Sequence, residues 1–474
     1  MSIYELKTDK QGKVAIFNVD TGEQVSKWWN KIYGIGSETE NPKYYVVVND
    51  DKKEAIFHID NPEEPISKWW QTVECYGLIE KDSKHYIARH DGKWAIFHVD
   101  NPDDPISQWW DWIYPDGLAT GESEYYVARD DDKYAVFHKN NPEQPISQWW
   151  DGVERHMGLI QGYSNYYMVF HQNKYAIFDI TNPKQPISQW WDQIQPYGLI
   201  EETSEYYIVQ HNGQYAIFHR DDPLTPISQW WDWIEYDGLI KGESKYYIVS
   251  DDNKCAIFSI SHPDAPVSYW WHKIYPDGLV KGRSNYYVVE YNHKQMLCDK
   301  DNPNGLHEQW HDYVLPLGIV NNVTRCYGVS PDDPNNVLLQ VYHIYNTFDP
   351  LYEIHGITDF DAVVYIDSSF AIYITDQYLI MYNSELSKID VAIPLASEMK
   401  SLLYEGGEVN SIETEQLIHQ YISYSVLPIV FNNEYYLYSL EGNFIGKFTN
   451  VQELKEHICT ILPRNDNLDI LRLY

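Results

Sequence analysis

Four histidines occupy equivalent positions along the chain and are the residues best placed to share a metal ion. Each follows a Phe in a repeated tripeptide: His58, His98, His138 and His219. A shared metal needs imidazole nitrogens about 2.0–2.1 Å from it, whereas neighbouring strands lie about 4.8 Å apart. The same position holds Asp179, Ser259 or Asp299 elsewhere. We therefore predict polar residues on the outer face of a strand and no metal site.

Acidic residues offer two further candidates for chemistry. Asp130, Asp131 and Asp132 could bind Ca²⁺, but their spacing differs from that of a calcium loop, and a solvated turn explains them better. Asp359 and Asp361 could act as general acid and base, but no other residue in the sequence completes such a site.

Three sequence motifs of common enzyme classes are absent. The chain has no GxGxxG after a strand, no P-loop and no GxSxG. Gly121-Glu122-Ser123 lacks the flanking glycine of a nucleophile elbow, which indicates a turn. We expect no catalytic residues and no cofactor, and we predict that the chain is not an enzyme.

The chain is strongly acidic. Its 474 residues include 35 Lys and Arg against 70 Asp and Glu, for a formal net charge of −35 at pH 7. Such a charge repels nucleic acids and anionic membranes, and no run of Lys and Arg forms a local basic patch. We therefore expect a protein partner, with a basic one favoured electrostatically, and neither nucleic acid nor membrane as the ligand.

Cysteine spacing and the N-terminal sequence favour a cytoplasmic location. Five cysteines form neither a CxxC pair nor an evident disulfide ladder: Cys75, Cys255, Cys298, Cys326 and Cys459. Reduced thiols are typical of cytosolic proteins. The first residues lack the apolar segment of a secretory signal, and no run of about 18 apolar residues could span a membrane.

The elements that carry these residues repeat at intervals of about 40 residues, a period typical of β-repeat arrays. An Ala-Ile-Phe tripeptide or close variant marks seven copies: those beginning at Ala15, Ala55, Ala95, Ala135, Ala176, Ala216 and Ala256. A Trp-Trp pair follows each copy, from Trp28-Trp29 to Trp270-Trp271. A degraded eighth copy contains Met296-Leu297-Cys298 and Trp310-His311. We predict an eight-repeat array over residues 1–320.

Each repeat is predicted to contain a β-hairpin and one or two short apolar segments. Lys245–Ser250 and Ala256–Ile260 are rich in β-branched and aromatic residues, which is typical of strands. The Asp91-Gly92 pair at the equivalent turn favours a type I′ hairpin. The Ser107–Asp111 segment could form one helical turn capped by Ser107 or a short third strand, and five residues cannot distinguish the two.

A single repeat cannot bury its Trp pair and Phe, so the repeats must pack on their neighbours. The predicted fold class is an all-β repeat array, for which a propeller-like ring, an open superhelical array of hairpins and a β-solenoid all fit. Eight near-equal repeats favour the propeller-like form, because closure removes exposed edge strands. The degraded eighth copy equally suits the end of an open array.

Residues 321–474 have a different composition, with no Trp and no Ala-Ile-Phe tripeptide. The Pro-rich and Asn-rich segment 330–336 indicates a linker or long turn. The patterns predict strands, helices and one hairpin: strands at 362–366, 370–374 and 378–382, helices at 395–405, 413–424 and 451–462, and the hairpin at 435–448. We predict a smaller C-terminal α+β domain or a divergent extension of the array.

One stretch of the array resembles the WG-type β-repeat of bacteria. The matching residues are Pro105-Ile106, Trp110-Asp111-Trp112-Ile113, Gly117-Leu118-Ala119 and, in the preceding hairpin, Asp91-Gly92-Lys93-Trp94-Ala95-Ile96-Phe97. Ala95 stands where the family has a glycine. The resemblance covers residues 1–320, leaves the tail unassigned, and implies a bacterial, non-catalytic binding or scaffold module.

Conserved and variable positions within the repeats have different predicted roles. Both Trp of each pair recur, which favours packing between repeats over exposure as a sugar-stacking row. The second residue after each pair instead varies from Gly152 to Thr72 and Trp112, a set that no uniform core would accept. We predict that this position lies on one exposed binding face. Its candidate binding residues are Trp112, Trp233, Tyr313, Lys31, Gln193 and Lys273.

The leading functional hypothesis is a non-enzymatic cytoplasmic protein-binding scaffold that uses this variable aromatic face. A specific version is an immunity or antitoxin-type partner of a basic toxin, which the negative charge of the chain would attract. One alternative is a carbohydrate-binding module, and another is an enzyme with an unrecognised site in residues 321–474. A nucleic-acid mimic is supported by acidity alone.

Overall fold

The computed structural model describes residues 3–35, 43–81, 83–306, 310–330, 337–345, 349–355, 362–366, 370–374, 378–383, 388–394, 410–421, 426–439 and 443–461. The chain divides into two compact lobes, an N-lobe of residues 1–230 and 240–242 and a C-lobe of residues 231–239 and 243–474. Both lobes are mostly β, and their strands form small antiparallel sheets in repeated units. The expected all-β repeat character of the array is therefore confirmed.

The N-lobe contains one sheet for each of its six repeats. These sheets are β1 (Tyr4–Thr8) with β2 (Val14–Asn18); β3 (Lys31–Tyr33), β4 (Tyr44–Val48) and β5 (Glu54–His58); β6 (Thr72–Glu74), β7 (His85–His90) and β8 (Lys93–His98); β9 (Trp112–Ile113), β10 (Tyr125–Asp130) and β11 (Lys133–His138); β12 (Gly152–Val153), β13 (Tyr166–His171) and β14 (Lys174–Asp179); and β15 (Gln193–Gln195), β16 (Tyr206–His211) and β17 (Gln214–His219).

The C-lobe continues this pattern with five sheets among its described residues. They are β18 (Trp233–Glu235), β19 (Tyr246–Asp251) and β20 (Lys254–Ser259); β21 (Lys273–Ile274), β22 (Tyr286–Tyr291) and β23 (Lys294–Asp299); β24 (Val314–Leu315), β25 (Cys326–Val329), β26 (Val337–His343) and β27 (Tyr352–His355); β28 (Ala362–Ile366), β29 (Phe370–Ile374), β30 (Tyr378–Asn383) and β31 (Lys388–Pro394); and β32 (Val426–Phe431), β33 (Glu434–Ser439) and β34 (Phe444–Phe448).

Helices are few and mostly short. In chain order they are α1 (Tyr76–Glu80), α2 (Tyr197–Ile200), α3 (Asp237–Ile240), α4 (Leu317–Val320), α5 (Ser411–Tyr421) and α6 (Val451–Ile461). The first four occupy the connection between the first and second strands of a repeat. In the ranges that the structure describes, no helix is long and apolar enough to cross a membrane.

The hairpins form because their turn residues accept a left-handed backbone. Asp91 has φ 48° and Gly92 has φ 83°, which are the two positive values that a type I′ turn requires. Asp131 and Asp132 also have positive φ and are exposed at the equivalent tip. Both the predicted type I′ hairpin and the predicted solvated acidic turn are therefore confirmed.

The Ser107–Asp111 segment contains no helical turn, so the alternative of a helical turn capped by Ser107 is wrong. The Ser107 hydroxyl is buried, accepts the Ile96 N–H at 2.9 Å and donates to the Gln108 carbonyl at 2.9 Å. Trp110 then pairs with Trp94 through two backbone hydrogen bonds of 2.8 and 2.9 Å. Two residues later, the chain joins β10 of the next sheet as β9. This segment therefore connects consecutive sheets.

Successive sheets pack face to face. Tyr126 and Phe137 lie in register on one face of β10 and β11, are fully buried, and stack with ring centroids 5.3 Å apart. They pack against Ile87 and Ile96 from the preceding sheet. The Trp110 ring completes the contact, 5.0 Å from Phe137. Each repeat thus buries its apolar face against its neighbour, as the repeat argument predicts.

This Trp–Phe contact recurs in both lobes with ring centroids 5.0–5.5 Å apart. The pairs are Trp29–Phe57, Trp70–Phe97, Trp110–Phe137, Trp150–Phe178, Trp191–Phe218 and Trp231–Phe258. The first Trp of a pair is half-buried and also touches the Phe, as Trp109 does Phe97 at 5.9 Å. The prediction that the Trp pairs pack between repeats is confirmed.

The tail beyond residue 320 contains more sheet than helix among its described residues. The helices predicted at 413–424 and 451–462 correspond to α5 and α6. Three other predictions lie outside the described residues: the helix at 395–405, the linker residues 331–336 and the Asp359–Asp361 pair. The strands of the predicted 435–448 hairpin are β33 and β34. Sheet β24–β27 includes residues on both sides of 320. The division at residue 320 stays a prediction, and this sheet favours a tail that extends the array.

We expect replacement of the repeated Phe to be strongly destabilising. Phe97 and Phe218 are almost fully buried among aromatic rings, so Phe97→Ala or Phe218→Ala should cost about 3–5 kcal/mol. The measurement is the urea midpoint. Leu224, which is 68% exposed, provides the control: Leu224→Ala should change stability by less than about 0.5 kcal/mol. Unchanged midpoints for both Phe variants would contradict the packing described above.

Candidate binding surface

The predicted binding residues occupy one equivalent position, at or next to the start of the first strand of each sheet. Lys31, Gln193 and Lys273 are exposed. Trp233 exposes 44% of its surface, which is unusual for a Trp and agrees with the predicted exposure. These four residues lie where the sequence pattern places them.

The predicted large exposure is wrong for Trp112 and Tyr313, which are both half-buried. Trp112 lies edge-on against Trp94 of the preceding hairpin, with ring centroids 4.7 Å apart. Tyr313 packs against the apolar cluster that contains Cys326 and Leu339. In both cases a neighbouring strand covers part of the ring, and this coverage depends on the tertiary structure rather than on the repeat pattern.

In the seven sheets from β3–β5 to β21–β23, strand register places two further variable residues beside the residue at this position. Each row crosses its sheet from the first strand to the third. The rows are Lys31–Val48–Glu54, Thr72–Arg89–Trp94, Trp112–Arg129–Tyr134, Gly152–Phe170–Tyr175 and Gln193–Gln210–Tyr215 in the N-lobe, and Trp233–Ser250–Cys255 and Lys273–Glu290–Gln295 in the C-lobe. We call these sets the variable rows.

Most members of the variable rows were not predicted from the sequence. A usable signal existed, because the residue before each Ala-Ile-Phe changes from Glu54 to Trp94, Tyr134 and Cys255 whereas the tripeptide hardly changes. Residues two apart on a strand share a face, so Arg89 lies on the same face as the buried Ile87. Each variable row therefore borders the apolar contact between sheets.

In the N-lobe, the variable rows of two consecutive repeats form an aromatic cluster with arginines. The Arg89 guanidinium lies 5.6 Å from the centre of the Trp94 ring. Trp94 contacts Trp112, and Trp112 lies beside Arg129 in the next row. Cation–π contacts of this kind hold guanidinium groups against indole rings. This arrangement can bind flat apolar groups and anions at adjacent points.

A second aromatic stack continues from this cluster. The rings of Tyr114 and Tyr134 are stacked with centroids 6.0 Å apart and an interplanar angle of 27°. Arg155 lies over Tyr114 at 3.9 Å and pairs with Asp116 at 3.5 Å. Burial raises the pKa of the Tyr114 hydroxyl, as does its hydrogen bond with Tyr134, while Arg155 and Arg129 oppose the shift. Tyr114 is therefore a neutral aromatic surface at physiological pH.

The C-lobe has a polar counterpart at the same position. Tyr275 donates to Glu290 at 2.9 Å, Gln295 donates to Tyr275 at 2.9 Å, and the Gln295 carbonyl oxygen accepts the Val314 N–H at 2.9 Å. Lys273 lies 4.3 Å from the centre of the Tyr275 ring. A cavity of about 230 Å³ adjoins Tyr275 and Gln295. Because these polar groups satisfy one another, they support the fold more than they offer sites to a ligand.

The repeated histidines lie on separate sheets and are each held by neighbours within their own hairpin. His138 packs edge-on against Tyr125 at 4.9 Å and lies 3.1 Å from a Glu124 carboxylate oxygen. In one repeat the Tyr is replaced by His85, which packs against His98 at 5.1 Å. The histidines therefore act as polar edge residues of individual hairpins.

Comparison with known proteins identifies no relative by sequence. No family model matches the chain, and no curated protein matches it either.

Several solved structures align with much of the chain at low identity. Kluyveromyces lactis Hsv2 is 10% identical, covers 58% of this chain and 97% of its own, and has a TM-score of 0.23. A eukaryotic initiation factor is 9% identical and covers 75% of this chain and 96% of its own, with a TM-score of 0.30. The dihydro-heme d1 dehydrogenase NirN is 9% identical and covers 70% and 76%, also with a TM-score of 0.30. At these TM-scores the alignments carry no argument about function.

We expect the two row tryptophans to differ in their contribution to stability. Trp233→Ala removes an exposed ring and should change stability by less than about 0.5 kcal/mol. Trp112→Ala removes the contact with Trp94 and should cost about 1–2 kcal/mol. Chemical denaturation of the two variants beside the wild type measures the difference. Equal losses would show that the half-burial of Trp112 has no energetic consequence.

The histidine at position 85 should make the N-lobe sensitive to acid. Burial, His98 and Lys139 lower the pKa of His85 from 6.5 to about 4. Between pH 6.5 and 4 the unfolded chain therefore binds a proton that the folded chain does not, so stability falls as the pH falls. His85→Tyr, which restores the residue at equivalent positions such as Tyr44 and Tyr125, should reduce this slope. Identical slopes in denaturation measured across this pH range would refute the assignment.

Proposed function

We propose that this chain is a non-enzymatic protein-binding scaffold that recognises its partner through the variable rows. One observation carries the proposal: the first and second strands pair in the same register in the seven sheets from β3–β5 to β21–β23, yet one row position holds Lys31, Gly152 or Trp233. Side chains that vary on a constant backbone are typical of the recognition face of a repeat protein. Tyr, Trp and Arg, which are frequent in binding hot spots, are prominent in these rows.

The proposal includes a propeller-like arrangement of the repeats as WG-type modules of a bacterial, cytoplasmic protein. Its support is the near-constant repeat length, the resemblance of residues 91–119 to the WG-type repeat and the face-to-face packing of successive sheets. In the described part of the chain, Cys75, Cys255 and Cys298 are not joined in disulfides, which suits a reducing compartment.

A more specific version assigns the partner as a basic protein, such as a toxin that this chain neutralises. The support is the net charge of −35. A charge of this size attracts a cationic protein over a long range and accelerates its encounter with the chain.

A carbohydrate-binding role is the alternative that one observation favours. The Trp233 ring is exposed, and exposed indole faces can stack on sugar rings. The enzyme alternative in residues 321–474 has no such support among the described residues.

Affinity capture from the source cell with a row-deficient variant tests the proposed function. The variant combines Lys31→Ala, Gln193→Ala and Trp233→Ala, which change exposed row positions in both lobes. We expect the wild type to enrich one or a few proteins by mass spectrometry and the variant to lose them at least tenfold.

The matched control replaces exposed apolar residues outside the variable rows. Leu224→Ala and Tyr269→Ala remove side chains that are 68% and 51% exposed and should leave capture intact. A partner retained by the row variant would exclude recognition through the rows, and enrichment of glycans in place of a protein would favour the carbohydrate alternative.

A further inference from the structure

Glycine at position 152 creates a gap in the variable rows of the N-lobe. In the preceding repeat, the equivalent Trp112 covers Trp94 and leaves it 5% exposed. The Gly152 position has no side chain to cover Tyr134, which is only half-buried. A Cβ at Gly152 would meet only Phe170, at an ordinary contact distance of 3.5 Å. Neither backbone conformation nor crowding therefore requires glycine here.

Aromatic rings surround this gap. Tyr134 stacks on Tyr114 on one side. On the other side, the half-buried Phe170 packs on Tyr175 with ring centroids 5.0 Å apart. We call the space bordered by Tyr114, Tyr134, Gly152 and Phe170 the Gly152 notch. Its surfaces suit an apolar or aromatic side chain.

Two guanidinium groups lie beside the notch. Arg129 is in register between Trp112 and Tyr134, and Arg155 covers Tyr114. The Arg129 Nε is shielded from solvent and, within the described part of the chain, has no hydrogen-bond partner. Arg129 as a whole is half-buried, so an added anion can reach it through the other nitrogens of its guanidinium group.

The neighbouring carboxylates are already engaged. Asp111 lies close enough to Arg129 to be influenced by it, but its oxygens accept the Asp131 N–H at 3.1 Å and lie 3.4 Å from the Lys93 ammonium. Asp116 pairs with Arg155 and Glu154 accepts two backbone N–H groups. Arg129 therefore remains the group best able to bind an added anion.

We propose that the Gly152 notch binds an acidic peptide segment of a partner protein, with an apolar side chain against Tyr134 and a carboxylate on Arg129. This proposal rests on the proposed scaffold function and names the chemistry of one contact. Guanidinium groups bind carboxylates through paired hydrogen bonds, and the aromatic rings beside them accept the adjacent apolar group. A partner with a basic surface elsewhere could still supply such a segment.

The array itself provides a substitution that closes the notch. Gly152→Trp introduces a Trp at a position that already holds Trp112 and Trp233 in two other sheets, so the fold is compatible with a Trp there. Leu224→Trp introduces the same side chain at a residue that is 68% exposed and outside the variable rows, and it is the matched control. Arg129→Gln removes the charge without closing the notch.

Saturation-transfer NMR with a short peptide tests the proposal on the full chain. The probe is N-acetyl-Glu-Phe-Glu-amide at millimolar concentration, with the Lys-Phe-Lys and Gln-Phe-Gln peptides as charge controls. We expect saturation of the Phe protons only with the acidic peptide. The signal should fall at least fivefold in Gly152→Trp and in Arg129→Gln, and persist in Leu224→Trp.

Three outcomes would overturn the proposal: no saturation of the acidic peptide, equal saturation of the Lys peptide, or a full signal in Gly152→Trp. Thermal unfolding of Gly152→Trp beside Leu224→Trp verifies that a lost signal does not reflect unfolding. The result is separable from the scaffold function, because a partner captured by wild type and by Gly152→Trp, but not by the row-deficient variant, would leave the scaffold intact without the notch.

Discussion

The contact between a Trp and the Phe of the next repeat is the interaction on which the rest of this structure depends. A two- or three-stranded sheet has too little surface to bury its own apolar residues. Here the Tyr126–Phe137 stack of one sheet is covered by Ile87, Ile96 and Trp110 from the preceding repeat. Stability is therefore a property of neighbouring pairs, and any single repeat depends on the next.

That dependence separates the positions that must stay constant from those that can vary. Gly77 approaches the next repeat so closely that a Cβ would lie 2.3 Å from the Ala119 carbonyl oxygen. The buried Ser107 hydroxyl accepts a hydrogen bond from the Ile96 N–H. The variable rows lie at the border of the contact, where Gly152 and Trp112 are both accommodated. Residues of the variable rows can therefore change without altering the sheet contact.

The sequence was sufficient for features determined locally and insufficient for those determined by neighbours. The Asp91-Gly92 hairpin could be predicted because positive φ values require such residues. The conformation of Ser107–Asp111 could not be predicted in this way, because its backbone hydrogen bonds are made with the preceding hairpin. The half-burial of Trp112 had the same cause, since Trp94 covers it from another strand. The exposure of Trp233 could be predicted from the variation at its repeat position.

The electrostatic character of the candidate binding surface shows most clearly why composition alone was insufficient. The sequence contains no run of basic residues and its net charge is −35, yet Arg89, Arg129 and Arg155 lie along one aromatic cluster. Because residues about 40 apart occupy equivalent positions on adjacent sheets, a repeat array assembles a charged surface from widely spaced residues. The charge beside each variable row therefore depends on one position in each repeat, which holds Arg89 and Arg129 in two consecutive repeats. An acidic repeat protein can accordingly combine a large negative net charge with guanidinium groups that lie against aromatic rings.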